Sequence, residues 1–359
     1  MREVAVVTTA QSPCLAANRR DDMSGILLPV IREALAGIEL SRDRVDFVVS
    51  GSHDFHEGRT FAYIDSLDAV GAWPPISESH VEMDAAWAFY EAWAWLQLGH
   101  GDIALVYGIG RGSLPRDLDQ VVPTQLDPYL LTPLRPHQDA IGGLQACALL
   151  EAGVTTEQEM ARIVARSLAD ARSNPHAQVS GEYAADTLLA EPYVASPLRR
   201  HDVAPVGDAA AVVVLAAGDV ARSLTDRPAW VRGIDHRMDT HYPGARDLTH
   251  APSARRSATE AAKTAGFGAA DVDVAELHIE YSAQEPLLVR ELGLGAATAI
   301  NPSGGPLAGR PTTATGLLRI SEAAAAVRTG RAGRALAHAT NGQALQQNLV
   351  CLLEGDTRA

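Results

Sequence analysis

Two stretches of the chain carry the same pattern, AAWAFYEAWAWLQLGHGDIALVYG over residues 85–108 and ATGLLRISEAAAAVRTGRAGRALAHAT over residues 314–340. Each stretch has small and apolar residues at helical spacing, then a glycine that ends the helix, then an apolar run typical of a strand. The matching positions are separated by one constant interval: Glu91 and Glu322, Gly99 and Gly330, Ala104 and Ala335, and Leu105 and Leu336. The pattern predicts a unit of helix and strand that occurs twice in one fold.

A second set of matches extends the repeat upstream of both stretches. Its members share a slightly shorter interval: Glu33 and Glu260, Val45 and Val272, and Asp46 and Asp273. We therefore predict two similar halves, residues 1–218 and 219–359, with chance similarity in an Ala-rich chain as the alternative. Residues 109–200 break the pattern, because they contain many prolines and a polar helix near residues 156–171. This segment predicts a loop excursion from the first half that builds a binding face or an oligomer contact.

The composition indicates a globular α/β protein. The chain has 359 residues, of which 47% are hydrophobic and 21% are charged, values that exclude a disordered or collagen-like chain. Short apolar runs such as residues 4–7 and 45–49 alternate with helical patterns, which is typical of α/β folds. The net charge of -14 argues against a nucleic-acid partner, since affinity for the phosphate backbone comes from clustered Lys and Arg.

The cysteines and apolar runs indicate the compartment. Cys14, Cys147 and Cys351 are widely spaced and odd in number, so the sequence supports neither a disulfide framework nor a metal knuckle. A reducing cytoplasm is the expected location. Because no stretch approaches about 18 uninterrupted apolar residues, we expect no membrane association.

Two segments of the second half predict a site. In AELHIEYSAQEPLL an apolar run ends at His278, Glu280 and Tyr281, three groups that can handle protons at a strand end. In INPSGGPLAGRPTTATG a glycine-rich loop precedes a helix, a geometry that exposes backbone N–H groups to an anion or oxyanion. A structural turn is the alternative for each segment alone.

The segment HDFH in the first half follows a strand end and contains a pair of histidines. His53, Asp54 and His56 could begin a metal site, but no third ligand accompanies them at a suitable spacing. We therefore interpret the segment as a plain loop and expect no metal ion.

In these residues the chain resembles the thiolase superfamily, and especially its actinobacterial lipid-transfer-protein type, which is related to the thiolase part of sterol carrier protein x. DVDVAELHIEYSAQEPLLVRELGLG is similar to the family's strand and helix that carry an oxyanion-hole histidine, here His278. NPSGGPLAGRPTTATG is similar to its Asn-Pro-Ser-Gly-Gly loop, and VAPVGDAAAVVVLA to a strand that keeps Asp208. The resemblance implies duplicated α/β halves in stacked αβαβα layers.

The departures from the family pattern concern its nucleophile and its base. The family's cysteine opens the first buried helix, yet VEMDAAW contains none, and counting back from Gly99 places that position on Glu82. Arg310 stands where the family has the histidine of Gly-His-Pro, and Thr340 where it has a second cysteine. A carboxylate cannot hold an acyl group as a thioester, and a guanidinium stays protonated near neutral pH. Acyl transfer through a covalent intermediate is therefore not expected.

The resemblance implies a site for a CoA thioester as substrate, with no permanently bound cofactor. It predicts catalytic roles for His278, Glu82, Tyr281 and Arg310, and substrate contacts for Asp84, Glu280, Ser303, Gly304, Thr340, Asn341 and Gly342. Retro-aldol cleavage of a β-hydroxyacyl-CoA, in lipid or steroid side-chain degradation, needs such a base and such donors. An acetyl-CoA acetyltransferase-type enzyme and a non-catalytic acyl-CoA-binding subunit are the alternatives.

The resemblance also implies partners. Cysteine-free relatives of the lipid-transfer type act as aldolases together with a small OB-fold acyl-CoA-binding protein. We expect a homodimer, and a companion of this kind in a larger complex.

Overall fold

The computed structural model describes residues 2–58, 60–71, 77–114 and 118–356. The first residue of the first predicted half and the last three residues of the second therefore lie outside the described residues. The strands are β1 (Val4–Gln11), β2 (Phe47–Gly51), β3 (Glu78–Val81), β4 (Ile103–Arg111), β5 (Tyr193–Ala195), β6 (Leu198–Arg199), β7 (Asp208–Ala217), β8 (Ala229–Met238), β9 (Val274–Leu277), β10 (Ala299–Ile300), β11 (Arg334–Asn341) and β12 (Gln347–Glu354).

The α-helices fall between these strands in chain order. They are α1 (Met23–Ala36), α2 (Asp54–Glu57), α3 (Ile64–Val70), α4 (Ala85–Gln97), α5 (Leu118–Thr124), α6 (Ala140–Glu151), α7 (Glu157–Asp170), α8 (Ala185–Leu189), α9 (Gly218–Leu224), α10 (Pro252–Ala265), α11 (Gln284–Leu292) and α12 (Thr315–Arg328). The repeated sequence pattern therefore forms α4 followed by β4, and α12 followed by β11, as predicted.

The strands other than β5 and β6 join into one mixed sheet with internal symmetry. Its order is β3-β2-β4-β7-β1 and then β8-β12-β11-β9-β10, so equivalent strands lie at equal distances from the middle. The two halves meet where β1 and β8 pair antiparallel at Ala5 with Trp230 and at Val6 with Ala229. Within each half the central strands run parallel, β2 beside β4 and β9 beside β11.

Helices cover both faces of each half-sheet, and α4 and α12 form the shared middle layer. Apolar side chains of α4 and α12, among them Phe89, Leu96 and Leu317, pack between the half-sheets in one buried cluster. Helix α1 packs on the outer face of the first half-sheet, and α10 and α11 pack on that of the second. The architecture is thus αβαβα, and the predicted fold class is confirmed.

The segment between β4 and β7 is more ordered than the predicted loop. Its described residues form four α-helices, of which α6 and α7 are the longest. Ala146, Leu149, Met160 and Val164 of these helices join the cluster that buries Leu287 of α11. The excursion from the first half therefore packs against the second half, because its helices carry apolar faces that need a partner.

No helix among the described residues is long and apolar enough to cross a membrane.

Candidate active site

A cavity of about 310 Å³ lies where strand ends and helix starts from both halves converge. His53 follows the carboxyl end of β2, His278 follows that of β9, and Asn341 ends β11, as expected for ligand sites in α/β sheets. The cavity brings together most of the predicted site residues, namely Asp84, His278, Glu280, Tyr281, Arg310, Thr340, Asn341 and Gly342.

Glu82, in contrast, does not line this cavity. Its side chain is 49% exposed, and Oε1 accepts a hydrogen bond of 2.7 Å from the backbone N–H of Asp54 while Oε2 lies 3.3 Å from Nε2 of His80. This places the Glu82 carboxylate at the start of α2, where it satisfies an unpaired backbone donor. The structure therefore gives Glu82 a contact that supports α2.

Ser303 and Gly304 also lie away from the cavity. The Ser303 hydroxyl donates to Oε2 of Glu276 at 2.8 Å and accepts from Arg319 at 2.8 Å, and Arg319 forms a buried ion pair with Glu276. Gly304 has a φ of +93°, and a Cβ there would approach that of Ala171 to 2.6 Å. The glycine-rich loop is thus held by buried contacts, in place of the expected exposed anion-binding geometry.

Asp84 occupies the meeting point of the two central helices. It is 4% exposed and is the N-cap of α4, where Oδ1 accepts from the N–H of Ala86 at 2.8 Å. Its Oδ2 accepts from the N–H of Gly316, at the start of α12, also at 2.8 Å. Burial outweighs these hydrogen bonds and raises the pKa of Asp84 to about 7. The residue that opens the first buried helix is therefore a carboxyl group that can take or give a proton near neutral pH.

His278 is a neutral donor at the cavity wall. It is 4% exposed, and burial, reinforced by the nearby His338 and Arg310, holds its pKa well below the ordinary value. The backbone N–H of Thr340 donates to Nδ1 at 3.4 Å. Because Nδ1 accepts, the proton of the neutral ring is assigned to Nε2, which is then available to donate.

Tyr281 follows His278 by three residues and is also buried. Its hydroxyl donates to Oδ1 of Asp139 at 3.2 Å, and burial with two nearby carboxylates raises its pKa well above the ordinary value. A Cβ on Gly142 would come within 2.4 Å of the Tyr281 ring, so only glycine lets α6 approach this closely. The phenol is therefore held rigidly and protonated.

Arg310 and Glu280 form an ion pair in the cavity wall. Nη1 of Arg310 lies 2.8 Å from Oε1 of Glu280, and both side chains are largely buried. The backbone N–H of Arg310 donates to the carbonyl of Pro205, which ties the loop to the segment before β7. The pair places a cation beside His278 while keeping the summed charge near zero.

The turn after β11 completes this side of the cavity. The Thr340 hydroxyl donates to the carbonyl of Gln347 at 2.9 Å, across the hairpin formed with β12. Gly342 has a φ of +75°, a conformation that favours glycine. Thr340 thus contributes its backbone N–H to His278, while its hydroxyl serves the hairpin.

Sequence reasoning missed the contribution of α2 and α5. The HDFH segment, interpreted as a plain loop, forms α2, and His53 and His56 stack with ring centroids 4.6 Å apart in the cavity wall. Nε2 of Gln125 lies 3.4 Å from Nε2 of His53. Burial lowers the pKa of His53, and lowers that of His56 to about 3. The spacing of the two histidines, three positions apart, could have indicated a site. Nothing in the sequence, however, showed that they line the same cavity as His278.

The cysteines lie elsewhere in the described chain. None of the described residues lining the cavity is a cysteine. Burial raises the pKa of Cys14 to about 12 and raises that of Cys351 further, so neither is a ready nucleophile. Cys147 lies in α6, where its sulfur faces the carbonyl of Ser196. No group of three or more potential metal ligands occurs among the residues that the structure describes.

Comparison with known sequences finds thiolase-like relatives, although no family model matches the chain. An acetyl-CoA acetyltransferase of Methanothermobacter thermautotrophicus is 30% identical over 50% of this chain and 52% of its own length. Benzoylsuccinyl-CoA thiolase subunit BbsB of Thauera aromatica is 27% identical over 48% and 50%, respectively. Sterol carrier protein 2 of Gallus gallus is 28% identical over 70% of this chain and 52% of its own length. The chain is thus matched over about half the length of these curated relatives.

Solved structures extend the likeness to the whole fold. Human mitochondrial 3-ketoacyl-CoA thiolase superposes with a TM-score of 0.81 at 15% identity, covering 99% of both chains. The Ltp2-ChsH2(DUF35) aldolase superposes with a TM-score of 0.80 at 17% identity, again over 99% of both chains. At these identities the superpositions show the fold alone. In sequence this chain is therefore similar to acetyl-CoA acetyltransferase and sterol carrier protein 2, and in fold it is similar to thiolases and to the Ltp2-ChsH2(DUF35) aldolase.

Proposed function

We propose that this chain is a thiolase-like enzyme that acts on a CoA thioester and cleaves a carbon–carbon bond of a β-hydroxyacyl-CoA by a retro-aldol reaction. One observation carries the proposal. Asp84, a carboxyl group with a pKa of about 7, opens the first buried helix at the cavity, and no cysteine lines the described part of that cavity. Such a group suits proton transfer and cannot form a thioester.

The proposed reaction begins with Asp84 as base. Its carboxylate takes the proton of the β-hydroxyl group, and the oxygen becomes a carbonyl as the bond between the α- and β-carbons breaks. The electron pair of that bond goes to the thioester, which leaves as an enolate. Protonated Asp84 then gives its proton to the α-carbon of the enolate, which restores the Asp84 carboxylate and yields a shorter acyl-CoA together with an aldehyde or ketone.

His278 is proposed to stabilise the enolate. Its assigned Nε2–H is a neutral donor that needs no change of protonation as negative charge develops on the thioester oxygen. The positive charge of Arg310 lies close enough to lower the pKa of His278, and we propose that it also favours the oxyanion. Tyr281 is proposed to position the substrate, since Asp139 already accepts its hydroxyl hydrogen bond.

The alternative of acyl transfer fits the geometry less well. It needs a thiolate nucleophile and a base, whereas this cavity presents the Asp84 carboxyl group and the Arg310 guanidinium. The non-catalytic alternative is a subunit that only binds acyl-CoA for a partner. We retain both as outcomes of the experiment below.

The partners and the compartment are further parts of the proposal. Because one structural neighbour is an aldolase that pairs Ltp2 with ChsH2(DUF35), we propose that this chain works with a small OB-fold acyl-CoA-binding companion and forms a homodimer. We place it in the cytoplasm, since its three cysteines carry no disulfide.

The test uses the protein purified from its native host with any chains that co-elute. Incubation with 3-hydroxyacyl-CoA thioesters should release a shorter acyl-CoA and one equivalent of aldehyde or ketone, both measured by mass spectrometry. Incubation with acetoacetyl-CoA should leave the intact mass of the chain unchanged. A stable acyl adduct on Cys14, Cys147 or Cys351 would contradict the proposal, and intact thioester recovered from a saturated complex would support the non-catalytic alternative.

A further inference from the structure

The cavity wall formed by α2 and the end of α5 is polar. His53 and His56 stack there, and the Gln125 amide lies against the ring of His53. Both imidazoles have pKa values below the ordinary one, so near neutral pH they are uncharged. Each neutral ring offers one donor and one acceptor, and the amide offers both kinds of group. This wall can therefore hydrogen-bond to a ligand.

Polar side chains also line much of the rest of the cavity. Asn341 at the end of β11, Gln346 just before β12 and His241 in the segment after β8 also line the cavity. Apolar side chains are a minority among the described lining residues, and they are Phe55, Val122, Leu126 and Val206. Ligand cavities are usually lined mainly by hydrophobic and aromatic side chains. In this cavity, polar side chains outnumber the apolar ones among the described lining residues.

Charge in the cavity is paired. Glu280 is in contact with Arg310 at 2.8 Å, so the guanidinium is already neutralised by a carboxylate. Asp84 carries at most a partial charge near neutral pH because its pKa is about 7. Asp139, the third carboxyl group of the described lining, accepts from the Tyr281 hydroxyl and lies 3.6 Å from Nδ1 of His137. Each of these charged groups therefore already has a partner inside the protein. Neutral hydrogen-bonding groups fit the lining better.

We infer that the acyl group of the thioester is short and carries neutral hydrogen-bonding groups, such as a second hydroxyl, in place of a steroid or a long alkyl chain. The reaction attached to this substrate class rests on the proposed function. An alkyl or steroid surface would cover the polar groups of His53, His56 and Gln125 without replacing their hydrogen bonds to water, which is unfavourable. A volume of about 310 Å³ is also at the small end for ligand cavities.

The experiment compares two thioesters that differ by one atom group and cannot be cleaved, since neither has a β-hydroxyl. Isothermal titration calorimetry of the purified protein with its co-eluting chains measures the Kd of 4-hydroxybutyryl-CoA and of pentanoyl-CoA. The hydroxyl compound should bind at least about tenfold more tightly, as expected for one hydrogen bond to a site built for it. Equal affinities, tighter binding of pentanoyl-CoA, or no binding of either compound would overturn the inference.

Two variants test whether the wall formed by α2 and the end of α5 causes the preference for 4-hydroxybutyryl-CoA. His56→Phe keeps a ring of similar shape and removes no charge, so it should reduce the preference to about twofold or less. The matched control is His100→Phe at an exposed position outside the cavity, which should keep the full preference. Gln125→Leu provides a second test if His56→Phe fails to fold. A full preference in both cavity variants would overturn the assignment.

Cleavage assays separate this inference from the proposed function. If 4-hydroxybutyryl-CoA binds preferentially and no 3-hydroxyacyl-CoA is cleaved, the substrate class stands and the retro-aldol proposal fails. If 3-hydroxypentanoyl-CoA is cleaved with a higher kcat/KM than 3,4-dihydroxybutyryl-CoA, the retro-aldol proposal stands and the substrate class is wrong.

Discussion

At the scale of single residues, burial acts in opposite senses on the two central groups of the site. It disfavours the charged form of each, so it raises the pKa of the Asp84 carboxyl and lowers the pKa of the His278 imidazole. An acid becomes a base that works near neutral pH, and a histidine becomes a permanent neutral donor. The same physical cause therefore supplies both roles that a retro-aldol reaction requires.

Replacement of His278 by alanine tests its role as donor. His278→Ala should lower the rate of β-hydroxyacyl-CoA cleavage by roughly 100-fold or more, the usual loss for one oxyanion donor. Melting temperature and cleavage rate are measured on the same preparation. If His278 only supports the core, the variant would instead lose thermal stability and keep its turnover per folded molecule.

Replacement of Asp84 tests the proposed base through pH dependence. The wild-type kcat/KM should rise with pH and level off above a pKa of about 7, and Asp84→Asn should lack this rise and be at least about 100-fold slower. Asp139→Asn, which changes a different cavity carboxyl, is the comparison variant. A pH profile of Asp84→Asn identical to that of the wild type would exclude Asp84 as the base.

The same pKa shift predicts the pH dependence of stability. The folded chain holds a proton on Asp84 between its ordinary pKa of 3.8 and its folded pKa of about 7, whereas the unfolded chain has lost it. Stability from this group is therefore present at low pH and is lost as the pH rises toward 7. The wild type should lose stability relative to Asp84→Asn between about pH 4 and pH 7 in urea unfolding, and the difference should level off above pH 7. A constant difference would contradict the shift.

Glu82 provides a contrast at the residue scale. A glutamine there still presents an oxygen to the N–H of Asp54, so Glu82→Gln should keep cleavage activity within about threefold of the wild type. Cleavage kinetics of Glu82→Gln beside Asp84→Asn provide the measurement. A loss as large as that of Asp84→Asn would restore Glu82 as the base.

At the scale of elements, the site depends on the close contact between the starts of α4 and α12. Gly316 allows this contact, because a Cβ there would lie 2.4 Å from Oδ1 of Asp84 and 2.7 Å from the Cβ of Ala339. The N–H of Gly316 also donates to Asp84. The two repeats of the chain thus share one carboxyl group where their central helices begin.

Gly316→Ala should therefore destabilise the fold and disturb Asp84. We expect a loss of about 1–3 kcal/mol from overpacking and at least a tenfold loss of cleavage rate per folded molecule. Gly268→Ala is the matched control, since its Cβ would meet only Oδ2 of Asp271, at 3.8 Å. Urea unfolding and kinetics are measured for both variants. Equal unfolding free energies and equal cleavage rates for the two variants would show that the close contact between the helix starts is not required.

The part of the glycine-rich loop around Ser303 has a structural role, although its sequence pattern predicts a site. Glu276 on β9 and Arg319 on α12 bury an ion pair that also binds the Ser303 hydroxyl. The pair links a strand, a helix and the loop between them. Because the Ser303 hydroxyl is hydrogen-bonded inside the protein, it is withdrawn from the cavity, whereas Arg310 of the same loop lines the cavity.

At the scale of the whole molecule, the edge of the first half-sheet carries a candidate dimer surface. Among the described residues, β3 is the outermost strand of that half, and Tyr63 stacks on His80 of this strand. Nearby Phe61 and Ile64 are exposed by 66% and 50%. An unpaired strand edge beside exposed apolar side chains favours association of two copies.

The protein should therefore be a homodimer at micromolar concentration in light scattering. Ile64→Arg should shift it toward the monomer, because a buried unpaired charge is unfavourable at an interface. Leu98→Arg, at a position that is 74% exposed and outside this edge, is the matched control and should remain dimeric. A monodisperse wild-type monomer would contradict the prediction.

Much of the architecture was determined by the sequence alone. Helical periodicity, glycine stops and short apolar runs are local properties, so the repeated unit and the α/β class follow from them. The strand end before His278 could be predicted for the same reason, since β9 ends at Leu277. The apolar faces of α6 and α7, however, gave no indication of which half would cover them.

The composition of the site was decided by the tertiary structure. Glu82 and Asp84 are two positions apart, but only Asp84, as N-cap of α4, turns into the space between the helices. His53, Gln125 and His278 come from distant parts of the chain, and the packing of α2, α5 and β9 brings them to one cavity. Spacing along a chain specifies neighbours only within an element, whereas a cavity between two halves depends on how their surfaces pack.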